Sequence, residues 1–442
     1  MTRRLGLIAS LGLASLSLGP PAAAQPAPSR PSSKSPETVA SRLVDYKAHY
    51  PQLCRLLRLG DSHQGRPVWA LAIGRNLRDP DDRPVVSLNG AHHGGELLSV
   101  DIVLDAIELL LTGSATAGGT ADPALARRLA RFLDELVIWA VPMVNPDGVW
   151  AVLNDSKRSD RKNGRDNNGD GRIDGRDGVD LNRNYSYRWG SLGQKGSSSS
   201  GSSDYYRGPT AASEPEVQAL VRLYDSEHPL ASVSFHTGTV AILAPYTIAG
   251  ATSPTPDEAW LVAERIAAQL PRHPQDRPFV TRRNLYPVDG TDQDYLRHQF
   301  GTLALLVESA RRPAASTSER LAIVRAVRRT WMLLFDRYLD GPAVSGRVVD
   351  AGGQPVAARL SIDEIKTHED EQWFTRCRDG RFDRYLPRPG RYTVRAEVPG
   401  YPPLTQTIEV EKGRARVELT LPGRRPAATC PPAPGPSPAG GG

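Results

Sequence analysis

The amino-acid sequence predicts an α/β domain, with a mixed, mostly parallel sheet covered by helices, followed by a small all-β sandwich. Short apolar runs of β-prone residues alternate with helix-like stretches through the first part of the chain. After Leu339 the pattern changes to short alternating strands separated by glycine and proline turns. A length of 442 residues also favours two folded units over a single core.

The order of the elements in the first unit explains why its sheet is expected to be mostly parallel. The periodicity predicts a helix at 37–49, strands at 68–73 and 85–88, a helix at 97–111, a strand at 136–144 and a helix at 214–224. Strands that alternate with helices form parallel sheets buried on both faces. Residues 156–203 are rich in Gly, Asp, Asn, Ser and Arg, which is typical of a functional or locally disordered loop.

The second unit has the pattern of a small β-sandwich. Strands are predicted at 344–349, 356–362, 392–398 and 405–421, within about 80 residues. We therefore expect an α/β domain at 36–340 and a sandwich at 343–422. The remaining residues, 423–442, are rich in Pro, Gly and Ala and predict a disordered tail.

The N-terminus has the features of an export signal. Arg3 and Arg4 are followed by an apolar run at 5–18 and by three alanines at 22–24. This pattern predicts a signal peptide at 1–24, followed by a flexible leader at 25–35, and a secreted or periplasmic protein. A membrane anchor is the alternative, but the apolar run is shorter than the roughly 20 residues needed to span a bilayer.

Composition excludes several classes of protein. Hydrophobic residues make up 39% and charged residues 24%, as in soluble globular proteins, and we expect no membrane insertion. We also expect a monomer. The formal net charge is +6, but Lys and Arg are scattered, so we expect no nucleic-acid partner. The three cysteines, Cys54, Cys377 and Cys430, are too few for a disulfide framework or a thiolate metal site. One bridge is possible, and its pairing stays open.

A possible metal site follows the strand at 85–88. His93 and Glu96 stand three residues apart, so an imidazole and a carboxylate can share one side of a helix start. A catalytic zinc takes three such ligands and keeps one position open. His236, at the end of a short β-prone run, is a candidate third ligand. Taken singly, the pair could be surface residues and His236 could be a core histidine.

An ordered set of further motifs changes this balance. The set comprises Asn145-Pro146-Asp147-Gly148, Arg161-Lys162-Asn163, Gly178-Val179-Asp180-Leu181-Asn182-Arg183-Asn184, His236 and Leu306-Val307-Glu308. With these motifs, the chain resembles the carboxypeptidase A/B-like zinc metallocarboxypeptidases over about residues 36–339. The segments at 205–209 and 213–216 are similar to the bacterial carboxypeptidase T-like branch. Those at 93–96 and 290–295 are similar to the carboxypeptidase N/E branch, which carries a transthyretin-like β-sandwich after its catalytic domain.

The resemblance implies a metal centre and a general base. His93, Glu96 and His236 match the zinc ligands, although His92 could compete with His93 for the metal. Asp180 matches the residue that accepts a hydrogen bond from the first ligand histidine. Glu308 matches the catalytic base, which takes a proton from zinc-activated water and passes it to the leaving amine.

The resemblance also implies substrate contacts. Arg161 matches the arginine that stabilises the oxyanion, and Arg158 and Arg165 are nearby alternatives for that position. Asn182 and Arg183 match the pair that binds the free C-terminal carboxylate of the substrate. Tyr286 matches a mobile tyrosine that closes over the bound terminus, and the alternative is a core tyrosine.

Some positions depart from the family patterns and leave the specificity open. Gly95 stands where digestive A/B-type enzymes carry an arginine, so subsite contacts beyond the scissile bond are expected to be weaker. Thr247 stands at a position that is acidic in N/E enzymes, which argues against a preference for basic residues. Gln293 argues for that preference, and Asp289 or Asp292 could supply the charge.

The loop between the oxyanion arginine and the carboxylate clamp has the spacing of a calcium site. Asp166, Asn168, Asp170, Asp174 and Asp177 occupy loop positions 1, 3, 5, 9 and 12, with a glycine at position 6. The spacing predicts a bound Ca²⁺ in addition to one catalytic Zn²⁺. A polar, turn-rich insertion is the alternative.

The sequence as a whole predicts a secreted zinc metallocarboxypeptidase that hydrolyses the C-terminal peptide bond of peptides or proteins. One alternative is a peptidoglycan-peptide amidase or carboxypeptidase of the same fold. Another is a noncatalytic binding protein that acts through the β-sandwich. The predicted carboxylate-binding pair, Asn182 and Arg183, favours the carboxypeptidase over the amidase. The intact metal ligands and base favour an enzyme over a binding protein.

Overall fold

The computed structural model describes residues 34–78, 81–113, 122–155, 157–275 and 277–424. The predicted signal peptide at 1–24, the leader up to residue 33 and the tail from residue 425 lie outside the described residues. Cys430 also lies outside them, whereas Cys54 is free and buried and Cys377 is disulfide-bonded. Within the described residues, none of the helices is long and apolar enough to cross a membrane.

An eight-stranded sheet forms the centre of the first unit. Its strands are β1 (Cys54–Asp61), β2 (Pro67–Ile73), β3 (Val85–Gly90), β4 (Val137–Val141), β5 (Ala231–His236), β6 (Val240–Leu243), β7 (Thr281–Arg282) and β8 (Leu303–Ser309). Their order across the sheet is β1-β2-β4-β3-β5-β8-β6-β7. β4, β3, β5 and β8 run parallel to one another, and antiparallel pairs flank them on both sides. The predicted mixed, mostly parallel sheet is confirmed.

Helices pack around this sheet. In the part of the chain that the structure describes they are α1 (Pro36–His49), α2 (Leu97–Thr112), α3 (Pro123–Glu135), α4 (Pro146–Asn154), α5 (Pro215–Glu227), α6 (Glu258–Gln269), α7 (Asp292–Phe300) and α8 (Thr317–Leu339). α1, α3 and α4 each begin with a proline after a capping side chain, supplied by Ser35, Asp122 and Asn145. A proline at the first helical position loses no hydrogen bond, because that N–H has no partner within the helix.

Alternation along the strands places a hydrophobic core on each face of the sheet. In β4, Ile138 and Ala140 belong to one cluster of buried apolar residues, and Val137 and Trp139 belong to a second. Successive strand residues point to opposite faces, so the two clusters cover the two faces. The strand predicted at 136–144 ends early, at Val141, because the next residue is a proline and has no N–H to donate to a sheet.

The second unit is built from two three-stranded sheets. Its strands are β9 (Ala343–Val349), β10 (Arg359–Ile362), β11 (Arg381–Tyr385), β12 (Gly390–Glu397), β13 (Leu404–Val410) and β14 (Arg414–Thr420), in the orders β10-β12-β13 and β11-β9-β14. The strand predicted at 405–421 is two strands, because a turn with Gly413 at a φ of 68° separates them. The strand predicted at 356–362 begins only at Arg359, and β11 was not predicted.

Candidate metal centre and substrate cavity

The ends of neighbouring parallel strands bring the predicted metal ligands together. β3 ends at Gly90, and the turn after it carries His93 and Glu96, the latter at the N-terminus of α2. His236 is the last residue of β5, which pairs with both β3 and β8. The carboxyl ends of parallel strands meet at one edge of a sheet, where ligands commonly bind.

The donor atoms of His93, Glu96 and His236 lie within 4.8 Å of one another. Glu96 Oε1 is 2.7 Å from His93 Nδ1, and Glu96 Oε2 is 3.1 Å from His236 Nδ1. The outer ring nitrogens also have partners, since His93 Nε2 is 3.2 Å from Asp180 Oδ1 and His236 Nε2 is 3.1 Å from Ser234 Oγ. Two imidazoles and one carboxylate are a common donor set for catalytic zinc, and outer hydrogen bonds of this kind orient each ring. These side chains fit a zinc ion.

His92, the competing histidine, has other partners. Its Nε2 is 3.0 Å from the Tyr185 hydroxyl, and its ring is fully buried. Burial and the neighbouring His236 and His93 hold the pKa of His92 well below its ordinary value, so the ring is neutral. His92 therefore packs beneath the metal ligands and is not one of the three converging donors.

Glu308 lies beside the metal site. It occupies β8 in register with His236 on β5 and lines a cavity of about 390 Å³ together with the three metal-site residues. Burial, reinforced by the Glu96 carboxylate, raises the pKa of Glu308, although His236 and His93 oppose the shift. Its Oε2 atom is buried and has no hydrogen-bond partner. An unpaired carboxylate oxygen at a catalytic cavity is suited to accept a proton.

Arg161 also lines the cavity. Its Nε donates to Asp180 Oδ2 at 2.7 Å, its guanidinium lies 5.1 Å from the centre of the Tyr205 ring, and its NH2 atom is buried without a partner. Burial alone would raise the pKa of Asp180, but Arg161, Arg183 and His93 lower it well below its ordinary value. Asp180 is therefore an anion that contacts both His93 and Arg161.

The two alternative arginines are engaged elsewhere. Arg165 NH1 donates to Glu214 at 3.1 Å, and Arg158 contacts the Gln64 side chain at 3.3 Å. Neither lines the cavity, so Arg161 is the arginine of this segment that faces the metal site.

Asn182, Arg183 and Tyr286 line the same cavity. Asn182 and Arg183 belong to a short 3-10 helix and are buried, whereas Tyr286 is 49% exposed. Asn182 Oδ1 accepts from the Asp292 backbone N–H at 2.9 Å, and Arg183 NH1 donates to the Asn182 carbonyl at 2.7 Å. The Nε atom of Arg183 has no partner. The exposure of Tyr286 argues against the core-tyrosine alternative.

Three residues support the site in roles that were not predicted, although Asn145 and Gly94 lie within the motifs that carry the resemblance. Asn145 Nδ2 donates to the carbonyls of His92 and Arg161 at 3.1 and 3.3 Å, joining the metal-binding turn to the arginine loop. A side chain on Gly94 would lie only 2.3 Å from the Gly148 backbone, so no side chain fits between these two backbone segments. Ser234 could have been found by strand alternation, which puts it on the same face as His236.

The wall beyond the metal contains Thr247 and Gln293. Gln293 Nε2 donates to Thr247 Oγ1 at 2.9 Å, and Gln293 Oε1 is buried without a partner. Asp289, proposed as a source of charge, instead accepts from the Leu192 N–H and the Ser197 hydroxyl at 2.9 and 2.5 Å. Neither Asp289 nor Asp292 lines the cavity.

The predicted calcium loop receives no support from its geometry. Both carboxylate oxygens of Asp166 and of Asp177 accept backbone N–H groups of the loop, at 2.7 to 3.0 Å. Asp170 and Asp174 likewise bond to nearby N–H groups, and Asn168 donates to Asp170 at 3.1 Å. These oxygens stabilise turns of the loop itself, which matches the alternative of a polar insertion.

The fold and the metal-site residues define a zinc-peptidase-like α/β domain. A profile of the zinc carboxypeptidase family matches residues 39–320, and a profile of the carboxypeptidase regulatory-like domain matches residues 343–422. The chain therefore belongs to the zinc carboxypeptidase family, and the predicted resemblance is confirmed.

Individual relatives agree with this assignment. A zinc carboxypeptidase of Saccharothrix mutabilis subsp. capreolus is 35% identical over 33% of this chain and 30% of its own length. Metallocarboxypeptidase A of Trichophyton tonsurans is 31% identical over 58% of each chain. Carboxypeptidase D of Rattus norvegicus is 26% identical over 83% of this chain and 27% of its own. The chain thus spans less than two thirds of the length of these relatives.

Two solved structures show the same fold. Carboxypeptidase A of Helicoverpa armigera has a TM-score of 0.53, with 22% identity over 68% of this chain and 71% of its own. Bovine thrombin-activatable fibrinolysis inhibitor, solved with a tick carboxypeptidase inhibitor, has a TM-score of 0.52, with 20% identity over 69% of this chain and 98% of its own.

Proposed function

We propose that this chain is a secreted or periplasmic zinc carboxypeptidase that removes C-terminal residues from peptides or proteins. Its signal peptide would be residues 1–24, its catalytic domain 36–340 and its β-sandwich 343–422. One observation carries the proposal: a single cavity is lined by a His₂Glu donor set, by the Glu308 carboxylate, whose Oε2 atom has no partner, and by the buried guanidinium of Arg183.

The proposed chemistry divides among these side chains. Zinc, when bound by His93, Glu96 and His236, supplies positive charge that activates water and polarises a carbonyl. Glu308 takes the proton from the attacking water and delivers it to the amine that leaves. Its buried Oε2 atom has no hydrogen-bond partner, so it can accept this proton without breaking an existing bond.

Arg161 would stabilise the charge that develops on the substrate carbonyl oxygen. Its NH2 atom has no protein partner, so it can donate without breaking an existing hydrogen bond. The Asp180 carboxylate fixes the other edge of the guanidinium at 2.7 Å. Asp180 therefore orients both a metal ligand and the oxyanion donor.

Asn182 and Arg183 would bind the free carboxylate of the substrate. A guanidinium matches the planar geometry of a carboxylate, and burial strengthens the interaction. Arg183 is 2% exposed and its Nε atom has no partner, which leaves a donor for a ligand. A carboxylate held here limits the bond that reaches the metal to the last one of the substrate, so the enzyme would be an exopeptidase.

The leaving side chain is proposed to be uncharged. Among the described residues that line the cavity, the only carboxylates are Glu96 and Glu308. Arg283 is paired with Asp257 at 2.6 Å, and the walls include Leu243 and Leu285. A basic side chain would lose its hydration without gaining a counter-charge, and that loss is costly. An amide N–H, a tyrosine hydroxyl or a tryptophan N–H could instead donate to Gln293 Oε1.

A peptide-library experiment tests this function. The full chain would be assayed for zinc content and then incubated with peptides that differ in their C-terminal residue, followed by mass spectrometry. We expect about one zinc per chain and stepwise loss of single C-terminal residues, slowest for Lys and Arg. Cleavage of cell-wall peptides alone would replace the proposal with an amidase. A chain with neither zinc nor cleavage would point to a binding protein.

A further inference from the structure

One loop of the β-sandwich, residues 366–372, packs against the catalytic domain. We call it the junction loop. The backbone of Lys366 pairs with that of Thr255 through two N–H to O hydrogen bonds of 2.9 Å. At the other end of the loop, the Gln372 N–H donates to the His298 carbonyl at 2.6 Å. The loop is thus fixed at both ends, to the segment after β6 and to α7.

Glu371 extends this contact into a buried network of charges. Its carboxylate accepts from Arg297 Nε at 2.8 Å, from Arg384 NH2 at 2.9 Å and from the Tyr246 hydroxyl at 3.3 Å. Glu258 on α6 completes the network, accepting from Arg297 and Arg384 at 2.7 and 3.0 Å. All four charged side chains are at most 5% exposed. Removing one partner would leave an uncompensated buried charge, which destabilises this arrangement strongly.

Glu369 makes a second attachment. It accepts from the Tyr187 hydroxyl at 3.2 Å and from the Thr252 N–H at 3.0 Å, and it pairs with Arg188. Glu369 and Asp370 have φ values of 60° and 56°, in a region that residues other than glycine rarely adopt. Such a conformation persists only where surrounding contacts hold it. The contacts of Glu369 therefore hold the junction loop in this backbone conformation.

The residues held by the junction loop are neighbours of the cavity wall. Tyr246 directly precedes Thr247, and Arg297 lies one helical turn after Gln293 on α7. Asp294 joins the two segments, because its carboxylate accepts from the Thr247 N–H and hydroxyl at 2.7 and 2.9 Å. Thr247 and Gln293 therefore lie on the two segments that also carry Tyr246 and Arg297, the partners of Glu371.

We propose that the β-sandwich positions the wall of the cavity that contacts the leaving residue of the substrate. This leaving-residue wall consists of Thr247 and Gln293, and Glu371 is the residue that positions it. The inference rests on the proposed function and adds that part of its specificity resides in a domain outside the catalytic one. Glu371 itself does not line the cavity. It acts through Tyr246 and Arg297, which fix the distance between Thr247 and Gln293.

The test compares Glu371→Gln with Glu227→Gln. Glu227 on α5 is a matched control, since it is 6% exposed and bonds to the sandwich residue Arg378 at 2.7 and 2.8 Å. No residue of α5 lines the cavity. Glu227→Gln therefore weakens the same junction between domains without touching the segments that form the wall.

Each variant would be assayed on peptides that differ only in the C-terminal residue. For Glu371→Gln we expect the ratio of kcat/KM between preferred and poor residues to fall by roughly 3- to 10-fold, mainly through KM. Glu227→Gln should keep the wild-type ratios, and both should retain zinc. If Glu371→Gln lowers kcat/KM by one common factor for all peptides, or leaves it unchanged, the positioning role is wrong.

A milder variant and a second readout keep the inference testable. Tyr246→Phe removes only the hydroxyl that donates to Glu371, and we expect a smaller change of the same ratio. Hydrogen exchange should show faster exchange at 245–256 and in α7 for Glu371→Gln but not for Glu227→Gln. If the wild type cleaves no peptide, the proposed function is wrong, and this exchange pattern alone decides whether the sandwich holds the wall.

Discussion

The active-site cavity has two walls that are held in different ways. The metal wall carries His93, Glu96, His236 and Glu308, which sit at or just after the ends of parallel strands of the central sheet. The leaving-residue wall carries Thr247 and Gln293, which lie on segments tied to the β-sandwich. On the proposed function, the chemistry is positioned by strand ends of the central sheet, whereas selectivity is positioned by contacts with the β-sandwich. This arrangement allows the two properties to change separately.

Replacing Glu308 by Gln should change the reaction rate without changing the selectivity, and it is expected to have the largest effect. The amide cannot accept the proton, so we expect kcat to fall by roughly 10²- to 10⁴-fold for every peptide. Zinc content and the ranking of C-terminal residues should stay as in the wild type, because neither wall loses a structural contact. Glu411→Gln, on an exposed turn of the sandwich, is the control and should be as active as the wild type. A Glu308→Gln enzyme with more than a tenth of the wild-type kcat would contradict the base assignment.

Replacing Asp180 by Asn tests how the metal wall is oriented. Asp180 holds the outer nitrogen of His93 at 3.2 Å, and loss of such a partner lowers metal affinity by roughly 10- to 100-fold. Competition with a chromogenic chelator would measure the zinc affinity. Ser234→Ala removes the corresponding partner of His236, but we expect a smaller loss because a hydroxyl carries no charge. Equal zinc affinity in wild type and Asp180→Asn would refute this role.

The metal wall could largely be predicted from the sequence, whereas the other wall could not. Short motifs next to apolar strands mark His93, Glu96, His236 and Glu308, so both the strands and these residues could be predicted from the sequence. Glu371 meets Arg297 from 74 residues away in the chain, and no periodicity indicates that pairing.

The same limit explains the missed strand β11 (Arg381–Tyr385). Its charged residues would be surface positions in an isolated strand, but Arg384 is buried against Glu258 and Glu371. The calcium prediction is not supported, and loop spacing alone does not show that backbone N–H groups will bond to the oxygens of Asp166 and Asp177. Local pattern predicts local geometry, and contacts between distant segments have to be observed.

The two walls also differ in the charge of the buried groups behind them. Burial would raise the pKa of Glu258 in the junction network, but Arg297 and Arg384 outweigh it and lower that pKa to about 2. Behind the metal wall, burial raises the pKa of Glu216 to about 8, with Asp147 and Glu214 adding to the shift and His63 opposing it.

Asn163 connects this second group to the segment that carries Asp180. Its amide donates to Glu214 and Glu216 at 2.8 and 3.1 Å, and its Oδ1 accepts from the Val179 N–H at 2.8 Å, next to Asp180. The support of the metal wall should therefore depend on pH near neutrality, while the junction network should not.

Glu216→Gln measures this pH dependence through the free energy of unfolding. Between pH 4.5 and about 8 the folded chain keeps a proton on Glu216 that the unfolded chain has lost, so the free energy of unfolding falls as the pH rises. Urea unfolding at pH 5, 6.5 and 8.5 should show that decline in the wild type. Glu216→Gln should remove roughly 4 kcal/mol of it between pH 5 and about 8, because a proton held only by the folded chain contributes about 1.4 kcal/mol per pH unit.

His63→Gln separates a second contribution of the same sign. Burial and Arg165 would lower the pKa of His63, but its hydrogen bond to the Glu214 carboxylate outweighs them and raises it, so its stabilisation is present below pH 6.5 and is lost as the pH rises through the folded pKa. We expect His63→Gln to keep the decline that begins near pH 5 and to reduce only its upper part. If Glu216→Gln and the wild type lose stability in parallel from pH 5 to 8.5, Glu216 is ionised in the folded chain, and the two walls do not differ in this respect.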